Sequence, residues 1–230
     1  DINTSSTKKG ETLEDTLRCF ELYCDLIVIR TKNKGILNDI SNKIKIPIIN
    51  AGDGDGEHPT QALLDVFTIR EEKGTVNNNI VSIVGDLRYG RTVHSLVKLL
   101  SIYDISFNFV STNDLGLDDD TIKFLYSKNI NYNIYSSISD IIDKTDILYM
   151  TRIQEERFDG CNVNFNDIKK DLYLTQELLI KAKNNMVVMH PLPRNNEIST
   201  DIDNDHRVAY FRQMENGLYV RMALLKNMLE

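Results

Sequence analysis

Residues 80–103, IVSIVGDLRYGRTVHSLVKLLSIY, read as a strand over 80–84, a glycine-bounded turn, and a helix over about 91–103. The strand is apolar apart from one serine, the pattern of a strand covered on both faces. The alternation continues downstream, with strands at 105–110, near 131–135, at 146–150 and at 186–189. Helical patterns lie between them, at about 118–127, 137–143 and 174–183, and a polar stretch runs from 155 to 171. Strands alternating with helices specify a doubly wound α/β domain with a parallel sheet. A terminal helix over 217–229 places Leu218, Met222, Leu225 and Leu229 on one face.

Upstream the same grammar is thinner. Residues 1–10 are polar and read as a solvated terminus, with Ser5, Lys8 and Lys9 as anion-binding candidates that sequence alone does not favour. A helix over 11–22 is expected to bury Leu13, Leu17 and Phe20, with Tyr23 beside them. A covered strand over 25–29 follows and leads to Arg30. A polar helical segment near 34–43 and a second apolar run at 46–49 complete this part. Two short strands make a poor core, because a parallel sheet needs more strands and cover on both faces. Residues 1–72 are therefore expected to be the back half of a first domain, completed by upstream sequence or by a partner chain. Gly74 and Asn77–Asn79 mark the boundary to a second domain over 73–212, and 213–230 are expected to pack back toward the first.

Composition narrows the class. Hydrophobic content of 41% and charged content of 27% suit a globular protein, and a net charge of −7 with no long basic run argues against nucleic acid as the main partner. Local arginines can still hold a small anion. No apolar run reaches membrane length. Cys19, Cys24 and Cys161 show no metal-ligand spacing and read as buried thiols of a reducing compartment, the cytoplasm, with a removed transit segment left open.

Toward the end of the first domain lies 52–69, GDGDGEHPTQALLDVFTI. The glycines and acids read as an irregular loop, and Pro59 as the first residue of a helix burying Ala62, Leu63, Val66 and Phe67. His58 then caps the helix with Gln61 three residues on, at the positive end of the helix dipole. That field discourages protonation, so a neutral imidazole could donate to a developing oxyanion. A plain capping histidine is the other reading.

Special residues recur just past each strand: Arg30, then His58, then GDLRYGRT (85–92), TRIQ (151–154) and HPLPR (190–194). Ligands of open α/β sheets bind at that edge. The Gly85–Gly90 spacing is not a dinucleotide fingerprint. Arg91 falls in a first helical turn, where the dipole disfavours a cation, which suggests that it is held there for an anion; an ordinary surface arginine is the other reading. Arg152 and Gln154 alternate in extended chain and can face one side, a fork and an amide suited to a carboxylate. The prolines of HPLP stiffen backbone that either aims carbonyls at an N–H donor or is simply a rigid loop, and this motif alone does not choose between the two.

Six stretches together carry a resemblance: SxxxKGET (5–12), AGDGxGEHPTQALLD (51–65), GDLxYGRTVHSL (85–96), YMTRIQxER (149–157), HPLPR (190–194) and the terminal YFRQxxNGLxVRMALL. The chain resembles the aspartate/ornithine carbamoyltransferase family almost end to end. Ornithine members typically carry a cysteine after the histidine of HPLP, so Pro191 and TRIQ favour aspartate as acceptor. The resemblance implies two doubly wound parallel-sheet domains, the first incomplete in this chain. It also implies a homotrimer with shared sites and no metal or cofactor. The implied reaction is carbamoyl transfer from carbamoyl phosphate to the α-amine of L-aspartate, an early step of pyrimidine synthesis. It assigns Arg30, His58 and Gln61 to carbamoyl phosphate, and Arg91, Arg152, Gln154 and Lys9 to aspartate. Pro191 and Leu192 would offer their carbonyls, and Ser5 and Lys9 would reach the adjacent subunit's site. The family's Ser-x-Arg-Thr phosphate loop belongs upstream of residue 1. With every downstream motif intact, that loop is expected in the full protein. A non-catalytic assembly module and transfer to another amine, such as ornithine, are the alternatives.

Overall fold

Helix α1 (Leu13–Phe20) opens the regular structure, in a computed structural model that describes residues 10–54, 56–152 and 171–230. The Thr12 side chain caps it by accepting from the Asp15 N–H. Strand β1 (Ile27–Thr31), helix α2 (Ile36–Ser41), strand β2 (Ile48–Asp53) and helix α3 (Pro59–Lys73) follow. β1 and β2 pair in parallel as a two-stranded sheet, with Ile27 opposite Ile48. Their core is small: Leu17, Ile27, Ile40 and Ile44.

Three expectations fail in this region. β1 starts later than 25 and contains Arg30, and Val28 within it is 56% exposed, so the strand is not covered on both faces. Phe20 is exposed and Tyr23 is 86% exposed, because a two-stranded sheet presents too little surface for them to pack against. Cys19 and Cys24 are also exposed. Leu17 points to the core, and two residues further on a helix faces nearly the opposite way. Cys161 lies outside the described residues.

The second sheet matches its expectation closely. Its elements are β3 (Asn79–Val84), α4 (Arg91–Leu100), β4 (Ile105–Val110), α5 (Asp119–Ser127), β5 (Tyr132–Tyr135), β6 (Ile147–Met150), α6 (Gln176–Ile180), β7 (Val187–Met189) and α7 (Tyr210–Leu229). Five parallel strands run in the order β5-β4-β3-β6-β7, so the winding reverses between β3 and β6. Val84, Val110, Leu148 and Met150 face one apolar layer, and Val81, Ile83, Phe107, Phe109 and Tyr149 face the other. The helix expected over 137–143 is a single 3-10 turn, Ile138–Asp140, that still buries Ile138, Ile141 and Ile142.

α3 and α7 depart from the amphipathic reading. Leu63 is 39% exposed, whereas Thr60, Gln61, Leu64, Asp65 and Thr68 are buried. α3 is packed from several sides, by β2, α4 and α7, so no single apolar stripe describes it. Its Val66 and Ile69 join the core of the five-stranded sheet. α7 starts at Tyr210 rather than 217, and Leu218, Met222, Leu225 and Leu229 are exposed. The residues it buries are Tyr210, Gln213 and Gly217. Polar pairing decides this face: Gln213 donates to Asp65 at 2.6 Å, and Asn216 donates to Thr68 at 3.0 Å. Among the described residues, no helix is long and apolar enough to cross a membrane.

Candidate active site

His58 caps α3 and Pro59 opens it. Part of the acidic stretch before it is regular, contrary to the irregular loop read from its composition. Gly52 and Asp53 belong to β2. The Asp53 carboxylate accepts the N–H groups of Gly35 at 2.8 Å and Glu57 at 2.5 Å, and its carbonyl accepts from Gly56 at 2.9 Å. A buried carboxylate taking backbone donors builds a turn that glycine content alone suggests is loose. The loop is also tied to α4. The His58 N–H donates to Ser95 Oγ at 2.7 Å, and the Ser95 hydroxyl donates to Glu57, which pairs with Lys98.

Arg91, the first residue of α4, donates to the Gly54 carbonyl at 3.0 Å. Gly52 has φ +121°, and a Cβ there would stand 3.3 Å from Arg91 Nη1 and 3.7 Å from His58 Cδ2. Arg91 and His58 therefore converge over one glycine. Arg30 from β1 and Arg221 from α7 complete the surroundings. Burial, then the charges of Arg91, Arg30 and Arg221, lower the His58 pKa to about 4. The imidazole is neutral at pH 7, and its buried Nδ1 has no hydrogen-bond partner among the described residues.

The carboxyl ends of β3, β6 and β7 supply the facing edge. Gly85 turns out of β3 with φ +121° directly against Thr151, and Arg152 follows, half-buried. Past β7, His190 is fully buried and its Nδ1 accepts the Leu192 N–H at 2.8 Å. Its Nε2 therefore carries the proton and donates to Glu197 at 2.7 Å. Against the burial that would raise it, that hydrogen bond holds the Glu197 carboxyl below the usual range. His190 thus shapes the loop that presents Pro191 and Leu192, the latter at φ 47°.

The structure brings Arg30, His58 and Arg91 together, and it sets Arg152, Pro191 and Leu192 at the ends of two adjacent strands. Gln61 lies within α3, buried, with its amide donating to Asp65 at 2.8 Å. Ser5, Lys9 and Gln154 fall outside the described residues. Sequence reasoning gave no role to Arg221 or Asp65. A signal for Arg221 existed: Gln213, Gly217 and Arg221 recur every four residues, a polar and small stripe along one side of a helix.

Residues 1–71 match the carbamoyl-P binding domain of aspartate/ornithine carbamoyltransferase, and residues 77–228 match its Asp/Orn binding domain. The chain is 52% identical over 222 residues to the multifunctional protein pyr1-3 of Dictyostelium discoideum, covering 96% of this chain and 10% of that one. It is 45% identical to the aspartate carbamoyltransferase catalytic subunit of Clostridium novyi, covering 100% of this chain and 75% of that one. A crystal structure of aspartate transcarbamoylase from Trypanosoma cruzi, in complex with carbamoyl phosphate and aspartate, superposes with a TM-score of 0.90 at 39% identity, covering 98% of this chain and 72% of that one. The chain spans about a tenth of the length of the multifunctional relatives it matches. Two domain matches that meet at residues 71–77, where the two sheets also divide, establish that this chain belongs to the aspartate/ornithine carbamoyltransferase family.

Proposed function

We propose that the protein transfers the carbamoyl group of carbamoyl phosphate to the α-amine of L-aspartate, giving N-carbamoyl-L-aspartate and phosphate. One observation carries the reading: His58, its Nδ1 without a hydrogen-bond partner among the described residues, and the Arg91 guanidinium converge over Gly52, and the charges of Arg30 and Arg221 also act on the imidazole. The guanidiniums attract a phosphate and carboxylates into one pocket and offset the repulsion between them. The neutral imidazole donates to the carbonyl oxygen as the uncharged amine attacks and a tetrahedral oxyanion forms; the bond from carbon to the bridging anhydride oxygen then breaks, phosphate leaves with its electron pair, and the amine nitrogen passes its proton to the departing phosphate. Positioning and oxyanion stabilisation supply the catalysis. Gln61 faces the carbamoyl group in this reading, Arg152 and Gln154 hold the side-chain carboxylate of aspartate, and the Pro191 and Leu192 carbonyls receive N–H groups. Lys9 also serves aspartate, and Ser5 and Lys9 reach the site of an adjacent copy in a homotrimer. The motif resemblance supports that last assignment.

The test uses the full-length protein with carbamoyl phosphate and either aspartate or ornithine, following phosphate and the carbamoylated amino acid. Aspartate should be consumed and ornithine left unchanged. His58→Ala should lower kcat by about tenfold to a thousandfold, the range of a lost oxyanion donor. Wild-type turnover in that variant, or equal use of ornithine, would overturn the assignment.

A further inference from the structure

A chain of buried hydrogen bonds links α7 to the candidate carbamoyl site, and its direction can be deduced. It starts at a group whose role is beyond choice, the backbone N–H of His190, which donates to Gln213 Oε1 at 2.9 Å. Gln213 must therefore turn its amide nitrogen the other way, where it donates to Asp65 Oδ1 at 2.6 Å. The same Oδ1 receives the Gln61 amide nitrogen at 2.8 Å, and Oδ2 receives the Tyr149 hydroxyl at 2.7 Å. Asp65, Tyr149 and Gln213 are fully buried, so no water is at hand to reverse any link. With its nitrogen turned to Asp65, the Gln61 amide directs its oxygen to the opposite side, as the end that can accept from a ligand. An amide oxygen can accept from an –NH2 group, and an amide nitrogen cannot.

From this geometry we infer that Asp65 is a positioning residue, which together with Gln213 sets the Gln61 amide so that its oxygen, and not its nitrogen, meets the amine of the carbamoyl donor. The inference rests on the function proposed above and adds to it the origin of donor selectivity. The site recognises a carbamoyl rather than an acetyl group because a polarity fixed at the His190 backbone is handed through two side chains to a third. An acceptor at position 65 suffices; the negative charge is dispensable. In Asp65→Asn, the amide introduced at position 65 would be forced by Gln213 to keep its oxygen toward both glutamines. Its nitrogen would then fall on the Tyr149 hydroxyl, which can accept.

The experiment compares the full-length wild type with Asp65→Asn and with the double variant Asp65→Asn, Gln213→Glu. In the double variant the carboxylate introduced at position 213 still accepts from the His190 N–H, but its other oxygen now requires a donor. The amide at position 65 must then turn its nitrogen toward position 213 and Gln61, its oxygen accepts from Tyr149, and the Gln61 nitrogen faces the site. The readout is the KM for carbamoyl phosphate divided by the inhibition constant of acetyl phosphate, which carries a methyl group in place of the amine. Asp65→Asn should leave this ratio within about threefold of wild type. The double variant should raise it by about tenfold to a hundredfold, the cost of facing a donor with a donor. An unchanged ratio in the double variant, or an equal rise in Asp65→Asn alone, would overturn the inference. If the double variant fails to fold, Asp65→Ala should raise the ratio because Gln61 loses its anchor, whereas losses shared equally by the two ligands would mean a purely structural role. A wild-type protein that consumes no carbamoyl phosphate would instead overturn the functional reading and this inference with it.

Discussion

The two sheets of this chain are built from the same parts and reach different degrees of burial. In the five-stranded sheet Val84, Phe107, Phe109, Val110, Leu148 and Tyr149 lose all contact with solvent. In the two-stranded sheet the interior is Leu17, Ile27, Ile40 and Ile44, and Phe20, Leu22, Tyr23 and Val28 are exposed. The proposed chemistry nevertheless draws on both. Arg30 and the 52–58 loop come from the thin region, and Arg91, Arg152 and the 190–194 loop come from the thick one. Val66 and Ile69 of α3 join the two regions through the apolar core, and polar contacts align the candidate site: Ser95 to the His58 N–H, Lys98 to Glu57, and Arg91 to Gly54. Large apolar cores give a sheet its stability, while a site at their junction is aligned by a few directional contacts.

Two glycines at equivalent strand ends offer the largest test of that contrast. Gly85 and Gly52 share φ +121°, a conformation that strains any other residue. At Gly85 a Cβ would come within 2.4 Å of Thr151 Oγ1 and 2.6 Å of the Thr151 carbonyl oxygen, in the middle of the thick sheet. Gly85→Ala should cost roughly 3 kcal/mol or more in chemical denaturation. At Gly52 the nearest obstacle is the movable Arg91 guanidinium, so Gly52→Ala should cost about 1–2 kcal/mol of strain. That variant should also disturb turnover, since Arg91 must move. Equal stability losses would erase the distinction.

A matched pair of core truncations tests the interiors directly. Leu96 and Leu17 are both fully buried, in the thick and thin regions respectively. Leu96→Ala should cost about 3–5 kcal/mol, because close-packed neighbours on all sides leave a cavity. Leu17→Ala should cost about 2 kcal/mol, since its few neighbours can settle inward. Equal values from urea denaturation would show the thin core to be as rigid as the thick one.

The smallest effects are pH effects, and the two buried groups nearest the junction run in opposite directions. His58 is lowered to about 4, so its folded form resists a proton that the unfolded chain accepts below 6.5. Its contribution to stability is present above 6.5 and is lost as pH falls toward 4. The pH–rate profile should accordingly show no inflection near 6.5 from His58, and a limb there that disappears in His58→Ala would contradict the assigned environment. Burial pushes the Asp65 carboxyl up to about 7, against the hydrogen bonds from Tyr149, Gln213 and Gln61. Stability tied to Asp65 is thus present below its unfolded value of 3.8 and is lost as pH rises through about 7. Asp65→Asn should flatten that slope in thermal unfolding.

Much of the site was legible because it depends on local rules. Pro59 and the position of His58 before it announced a helix start, and the apolar runs ending in Gly85, Thr151 and His190 announced one sheet edge. Where the reading failed, periodicity was taken as burial. Leu218, Met222, Leu225 and Leu229 form a regular face, yet α7 buries Gln213 and Gly217 instead because Asp65 and Thr68 of α3 face them. Likewise glycine and aspartate content suggested a loop without regular structure, whereas Gly52 and Asp53 extend β2 and Asp53 takes three hydrogen bonds, two through its carboxylate and one through its carbonyl.

By itself the amino-acid order settled the alternation of strands and helices, the edge where functional groups gather, and the family to which its motifs point. Those features follow from short-range sterics, strand and helix periods, and residues only a few positions apart. Only the folded chain decided that the charge of Arg221 acts on His58, that Asp65 binds three side chains from three different elements, and that a backbone N–H past β7 orients an amide in α3. Such links join residues as many as 148 positions apart, and hydrogen bonds between them are set by where packing leaves each donor, a quantity no local pattern encodes.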